Sequence, residues 1–123
     1  MRDAHGELTV TPSFRPAART ATGNGTGVDV SQYHGRLKVT QEIGTVSGTS
    51  PTCDTKIQDS DDDSSYADVS GLTFTQVTAQ NNSQSIAVDT RKVRKFIRAV
   101  HTIGGTSPSF TSAVLVIGQK KNL

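Results

Sequence analysis

Between Arg36 and Ile43 the chain alternates: Leu37, Val39, Gln41 and Ile43 against Arg36, Lys38, Thr40 and Glu42. A period of two with one mostly apolar set marks a strand with one face buried and one in water. Cys53, Thr55 and Ile57 alternate in the same way with Asp54, Lys56 and Gln58. The Gly/Ser/Thr/Pro stretch 44–51 between them has turn chemistry, so the pair reads as a hairpin with a long loop. After a connection at 59–65, Tyr66, Val69, Leu72, Phe74 and Val77 supply strand material interrupted at Gly71. A polar turn at 79–83 precedes a short strand carrying Ile86 and Val88. Asp89 or Thr90 can cap one helical turn, but basic residues in that turn oppose the helix dipole and preclude a long helix. Residues 96–103 and 110–117 form the last two strands; the second is apolar on both faces and belongs at a sheet centre.

One internal similarity bears on the architecture. Leu37-Lys38-Val39 with Ile43-Gly44 and Gly48-Thr49-Ser50-Pro51 resembles Ile97-Arg98-Ala99 with Ile103-Gly104 and Gly105-Thr106-Ser107-Pro108. Two copies are too few for a solenoid and suggest two equivalent hairpins. About eight short strands separated by frequent turn signals predict an all-β fold, a β-sandwich of Ig-like or jelly-roll type. The pattern does not select between those topologies.

Residues 1–27 depart from it. They carry Pro12, Pro16, Arg2, Arg15, Arg19 and the run Thr22-Gly23-Asn24-Gly25-Thr26-Gly27. Leu8, Val10 and Phe14 suit a short strand, but the remainder buries too little apolar surface to offset its own ordering entropy. The expectation is an extended N-terminal arm over 1–27 and a sandwich domain over 28–123. The arm is either a loose terminus or a segment that orders against a neighbouring subunit through Leu8, Val10, Phe14, Arg15 and Arg19.

Composition agrees with strands and turns. The chain has 123 residues, a single-domain length, and Ser and Thr make up about a quarter of it. Thirteen Lys and Arg against eleven Asp and Glu leave a net charge of +2, too small to make the whole molecule a nucleic-acid binder. The single cysteine, Cys53, excludes an intrachain disulfide, and its alternating flanks read it as a small buried group. No signal peptide and no run of about 18 apolar residues is recognisable, so no membrane contact is expected.

Candidate chemistry is sparse. Asp59, Asp61 and Asp63 have the spacing that opens an EF-hand loop, but Ser64 replaces the required Gly and Ser70 the bidentate Glu. A solvated Asp-rich loop is the simpler reading, with a cation site on those three carboxylates the alternative. His101 alternates inward with Ala99 and Ile103 and reads as a satisfied strand histidine. There is no Gly-x-Ser-x-Gly elbow, no phosphate-binding loop and no dinucleotide fingerprint, so neither an enzyme nor a cofactor is expected. The basic run Arg91, Lys92, Arg94, Lys95 and Arg98 reads first as a solvated edge, with docking to an acidic protein surface, including the Asp loop of another copy, or contact with phosphates as the alternatives. With only Phe96 interleaved, the stacking platform of a single-strand nucleic-acid binder is missing.

Three stretches resemble a known group. Lys56-Ile57-Gln58-Asp59-Ser60-Asp61-Asp62, then Val69-Ser70-Gly71 with Phe74-Thr75-Gln76-Val77, then Ile97-Arg98-Ala99-Val100 with 103–110, are similar to small capsid decoration (cement) proteins of tailed bacteriophages. The resemblance covers about residues 28–120 and rests on loop and strand patterns. The usual member has Gly near 63 or 64 and Trp near 66, where this chain has Asp63, Ser64 and Tyr66. It implies a β-sandwich that binds the outer surface of the major capsid protein on the virion, as a homo-oligomer with a trimer expected. Another virion component, of the tail or head-tail connector, or an Ig-like module for a host-surface glycan, is the competing reading.

Overall fold

The computed structural model describes residues 8–33 and 35–119. Residues 1–7 of the expected arm with His5, the side chain of Leu8, and the polar tail 120–123 lie outside the described residues.

The strands are β1 (Leu8–Arg19), β2 (Gly23–Asn24), β3 (Val28–Asp29), β4 (Arg36–Ser60), β5 (Ala67–Thr73), β6 (Asn82–Asp89) and β7 (Phe96–Gln119). A 3-10 turn at Thr90–Lys92 is capped by Asp89, whose carboxylate accepts from the Arg91 amide at 2.9 Å. The fold is all-β, one antiparallel hydrogen-bonded sheet.

Its frame is a ribbon of β4 and β7, paired from Lys38↔Ile117 at one end to Ser60↔Phe96 at the other. The expected hairpin between 36–43 and 52–60 does not form. Each Gly-Thr-Ser-Pro motif pairs with the other, through Thr49↔Thr106, amid three register shifts. Gly48 and Gly105 have φ of 111° and 109°, and Ser50 and Ser107 have φ of 49° and 50°. A Cβ on Gly48 would lie 2.7 Å from the Ser107 carbonyl oxygen, and one on Gly105 2.7 Å from that of Ser50. Irregularities of this kind bend a strand and raise its twist. The two similar sequences are thus the two sides of one bend, related by a local two-fold.

The bend folds the ribbon into two layers. Residues 36–43 of β4 lie between β6 and residues 112–117 of β7, with β1 beyond. Residues 52–60 of β4 lie between β5 and residues 96–104 of β7, with β2 and β3 beyond. Fewer, longer strands than expected therefore build the sandwich, because each long strand serves both layers.

Both open sides are stitched. On one, Ser13 Oγ accepts from the Ala99 amide at 3.0 Å and donates to the Thr26 carbonyl at 2.9 Å. On the other, the Gln84 amide brackets Thr75, accepting from its N–H at 2.8 Å and donating to its carbonyl at 2.9 Å.

The arm expectation is corrected here. β1 pairs with β7 from Leu8↔Gln119 to Arg19↔Phe110, and Phe14 is buried. The glycine run is packed rather than loose: a Cβ on Gly27 would collide with the Asp63 carboxylate and the Tyr66 hydroxyl. Sequence composition undercounted this segment because much of its order comes from backbone pairing to β7, which adds to the burial of Phe14.

Burial follows the alternation. Leu37, Val39, Gln41 and Ile43 all point inward, as do Cys53, Thr55 and Ile57. Most of the core is one apolar cluster containing Phe14, Leu37, Val39, Ile57, Ile97, Val114 and Val116. A smaller one at the bend holds Ile43, Cys53, Val77 and Phe110. Between them lies a polar layer of Gln41, Thr55, His101 and Ser112, one from each half of the ribbon strands.

Candidate interaction surfaces

The basic run and the acidic loop meet within the same molecule. Pairing of Asp59 with Ile97 and of Ser60 with Phe96 brings the loop against residue 94. There the Arg94 guanidinium donates to both Asp59 Oδ1 at 3.1 Å and the Asp59 carbonyl at 2.8 Å, and reaches Asp61 Oδ2 at 3.4 Å. The Arg94 backbone amide donates to the other Asp59 oxygen at 3.1 Å. Arg94 is therefore a clamp on its own chain, bound to the same Asp loop that the sequence offers as a target on another copy.

The remaining carboxylates of the loop are engaged in turn geometry. Asp62 Oδ1 accepts from the amides of Ser65 and Ser64, each at 3.0 Å, and from the Ser60 hydroxyl at 2.9 Å. Those donors, the Ser65 amide foremost, hold its acidity above that of an ordinary aspartate. Asp63 accepts from the Tyr66 hydroxyl, and burial together with this bond pushes the phenol up. Asp59, Asp61 and Asp63 thus do not converge: two hold a guanidinium and the third a phenol. Among the described residues no three His, Cys, Asp or Glu side chains are grouped to hold a metal ion.

The other basic residues have separate situations. Arg91 folds back on Asp89 at 3.2 Å and is largely in solvent; this pairing and the Arg91 amide lower the Asp89 carboxyl to about 2. Lys95 lies 5.4 Å over the Phe96 ring. Arg91, Arg94 and Lys95 rim a shallow groove of about 740 Å³ floored by Val30, Tyr33 and Val93. Lys92 faces a second groove, with Arg36, Gly71 and Leu72.

At the N-terminal segment the expected contacts divide. Val10 and Arg15 are exposed, whereas Phe14 is not available to a partner: it stacks on His101 with centroids 4.2 Å apart. Arg19 lies 4.8 Å over the Phe14 ring. Packing within the sandwich claims Phe14 because the register shifts around it turn the strand inward.

His101 and Cys53 approach to 3.5 Å, a pairing that catalytic thiols use. Here burial raises the thiol and, with the Arg19 charge, lowers the imidazole to about 4, so both stay neutral. Neither reaches solvent. The pair packs the core and offers no thiolate nucleophile.

Sequence reading missed one network. Lys56 pairs with Asp68 at 3.0 Å, Gln58 donates to Asp68 at 2.8 Å, and Arg98 donates to Gln58 Oε1 at 2.8 Å while stacking 4.0 Å over Tyr66. The outward alternation of Lys56, Gln58 and Arg98 was visible, but not which strands lie side by side. Among the described residues no helix is long and apolar enough to cross a membrane.

No family model matches the chain, and no curated protein matches it in sequence. Among solved structures, it is similar to the SPBc2 prophage-derived protein YomS, with 13% identity over 90% of this chain and 93% of that one and a TM-score of 0.48. It is also similar to a protein of the disulfide-linked pili that form Bacillus endospore appendages, with 17% identity over 99% of this chain and 97% of that one and a TM-score of 0.47.

Proposed function

We propose that this chain is a structural virion protein that decorates a tailed-phage capsid, binding the outer surface of the major capsid protein and stabilising the shell. One observation carries the reading. The three stretches that resemble decoration proteins are far apart in sequence, yet the first lies on β4 between β5, which carries much of the second, and residues 97–100 of the third, whose remainder leads into the bend. Lys56 pairs with Val100, Ile57 with Ala99, Gln58 with Arg98 and Asp59 with Ile97, and on the other side Lys56 pairs with Thr73, next to the second stretch. A likeness spread over loops by chance has no reason to fall on mutually paired strands.

The architecture supports the same role. A cement protein transmits load and needs a scaffold that does not open under tension. Here two strands of 25 and 24 residues run through both layers, so separating the layers requires breaking the central ribbon. Many copies on one shell multiply a modest contact into strong retention.

Cryo-electron microscopy of particles lacking the gene tests this. Loss of surface density from the capsid, with heads more fragile to heat, is the expected result. Intact and equally robust heads, with density missing from the tail or connector instead, would replace the decoration role by the competing virion role.

A further inference from the structure

The two layers present unlike outer faces. On the β5 side the outward residues are tied to one another through the Lys56, Asp68, Gln58 and Arg98 network. On the β1 side the register sets Ile117 between Lys38 and Val10, and Leu115 between Thr40 and Pro12. This leaves a half-covered apolar strip of Val10, Pro12, Leu115 and Ile117 across β1 and β7. Val10 is 55% exposed, and no other large apolar side chain among the described residues is as open. Beside the strip, β4 carries Lys38 and Glu42 on the same outward face, both exposed. Lys38 makes no ion pair among the described residues, and Glu42 accepts from the Ser83 hydroxyl at 2.7 Å.

We infer that this outer face is the contact between two copies of the chain, related by a two-fold axis that crosses β4 at Thr40. A two-fold contact must be self-complementary, each residue meeting its counterpart's partner. Lys38 and Glu42 flank Thr40 symmetrically, so an antiparallel second copy sets Lys38 opposite Glu42 at both ends. A parallel copy would oppose like charges, which disfavours that arrangement. The apolar strip then closes against its counterpart, as two sheets pack face to face with a small angle between strands. The opposite layer, whose outward side chains are already engaged with one another, lacks both features. The contact is independent of the virion role, and it closes at two copies rather than the three that the family resemblance implies.

Sedimentation of the full chain over a range of concentrations tests the contact, with circular dichroism melts confirming that each variant is folded. The wild type is expected to run as a two-copy species that dissociates on dilution. Leu115→Lys should raise the dissociation constant at least about a hundredfold, the scale of burying an unpaired charge in an interface. Lys38→Glu and Glu42→Lys should each weaken association, and the double exchange of Lys38→Glu with Glu42→Lys should restore it. A single-copy or three-copy mass at every concentration overturns the proposal. So does a two-copy species indifferent to the single charge changes, or one that the double exchange fails to restore.

Discussion

His101 shows how a polar residue is accommodated in a small apolar core. Thr55 donates its one hydroxyl proton to Gln41 Oε1, so the imidazole Nδ1, 2.8 Å away, must donate to Thr55. Nε2 is then left to accept from Ser112 at 3.1 Å, which fixes a neutral tautomer. Protonation would place a charge with no carboxylate among these partners in a site closed to solvent. Burial, with Arg19 nearby, lowers the group from its ordinary 6.5 to about 4. The unfolded chain therefore takes up a proton near pH 6.5 while the folded one does so only near pH 4. Stability is full above about 6.5 and falls as the pH drops between those values, by about 3 kcal/mol from this residue. Urea unfolding at pH 7.0 and 4.5 should show that loss in the wild type. In His101→Gln, which cannot titrate, the contribution should vanish, leaving a smaller pH dependence from the carboxylates alone. The inward direction of His101 was legible from its alternation with Ala99 and Ile103. Its partners were not, since they come from three other strand segments.

At the scale of elements, the bend in the ribbon decides the architecture. Gly48 and Gly105 occupy a backbone region that side chains rarely adopt, and each faces the carbonyl of the other motif's serine. Alanine at either position adds strain to a steric clash. Gly48→Ala and Gly105→Ala are each expected to cost about 1–3 kcal/mol in thermal or urea unfolding. Because the two sites share one bend, the double variant should deviate from the sum of the singles, which a double-mutant cycle measures. The repeated Gly-Thr-Ser-Pro motif was plain in the sequence, and so was its turn chemistry. Local chemistry nevertheless favoured two hairpins, because a bend and a hairpin loop use the same residues. Only the distant motif, supplying Thr106 opposite Thr49, converts one into the other.

For the whole molecule, β1 is the test of what counts as the domain. Phe14 sits in the main core and Ser13 ties the two layers together, so the segment is part of the fold and not an appendage. Phe14→Ala should cost about 3–5 kcal/mol by chemical denaturation, the usual range for emptying a buried aromatic site. Removing residues 1–19 should abolish the cooperative melt seen by circular dichroism, because it strips β7 of a paired neighbour. An intact melt would restore the arm as a separate element. The sequence by itself determined the strand character, the inward set on each half of β4 and β7, and the capped turn at Asp89. These are local properties, written in side-chain alternation and in the chemistry of single turns. Tertiary structure alone decided that two long strands bend instead of reversing, that the glycine-rich segment is packed, and that Arg94 closes on its own acidic loop. The physical reason is common to all three: backbone pairing and ion pairing are made with residues far along the chain, and neither partner carries a mark of the other.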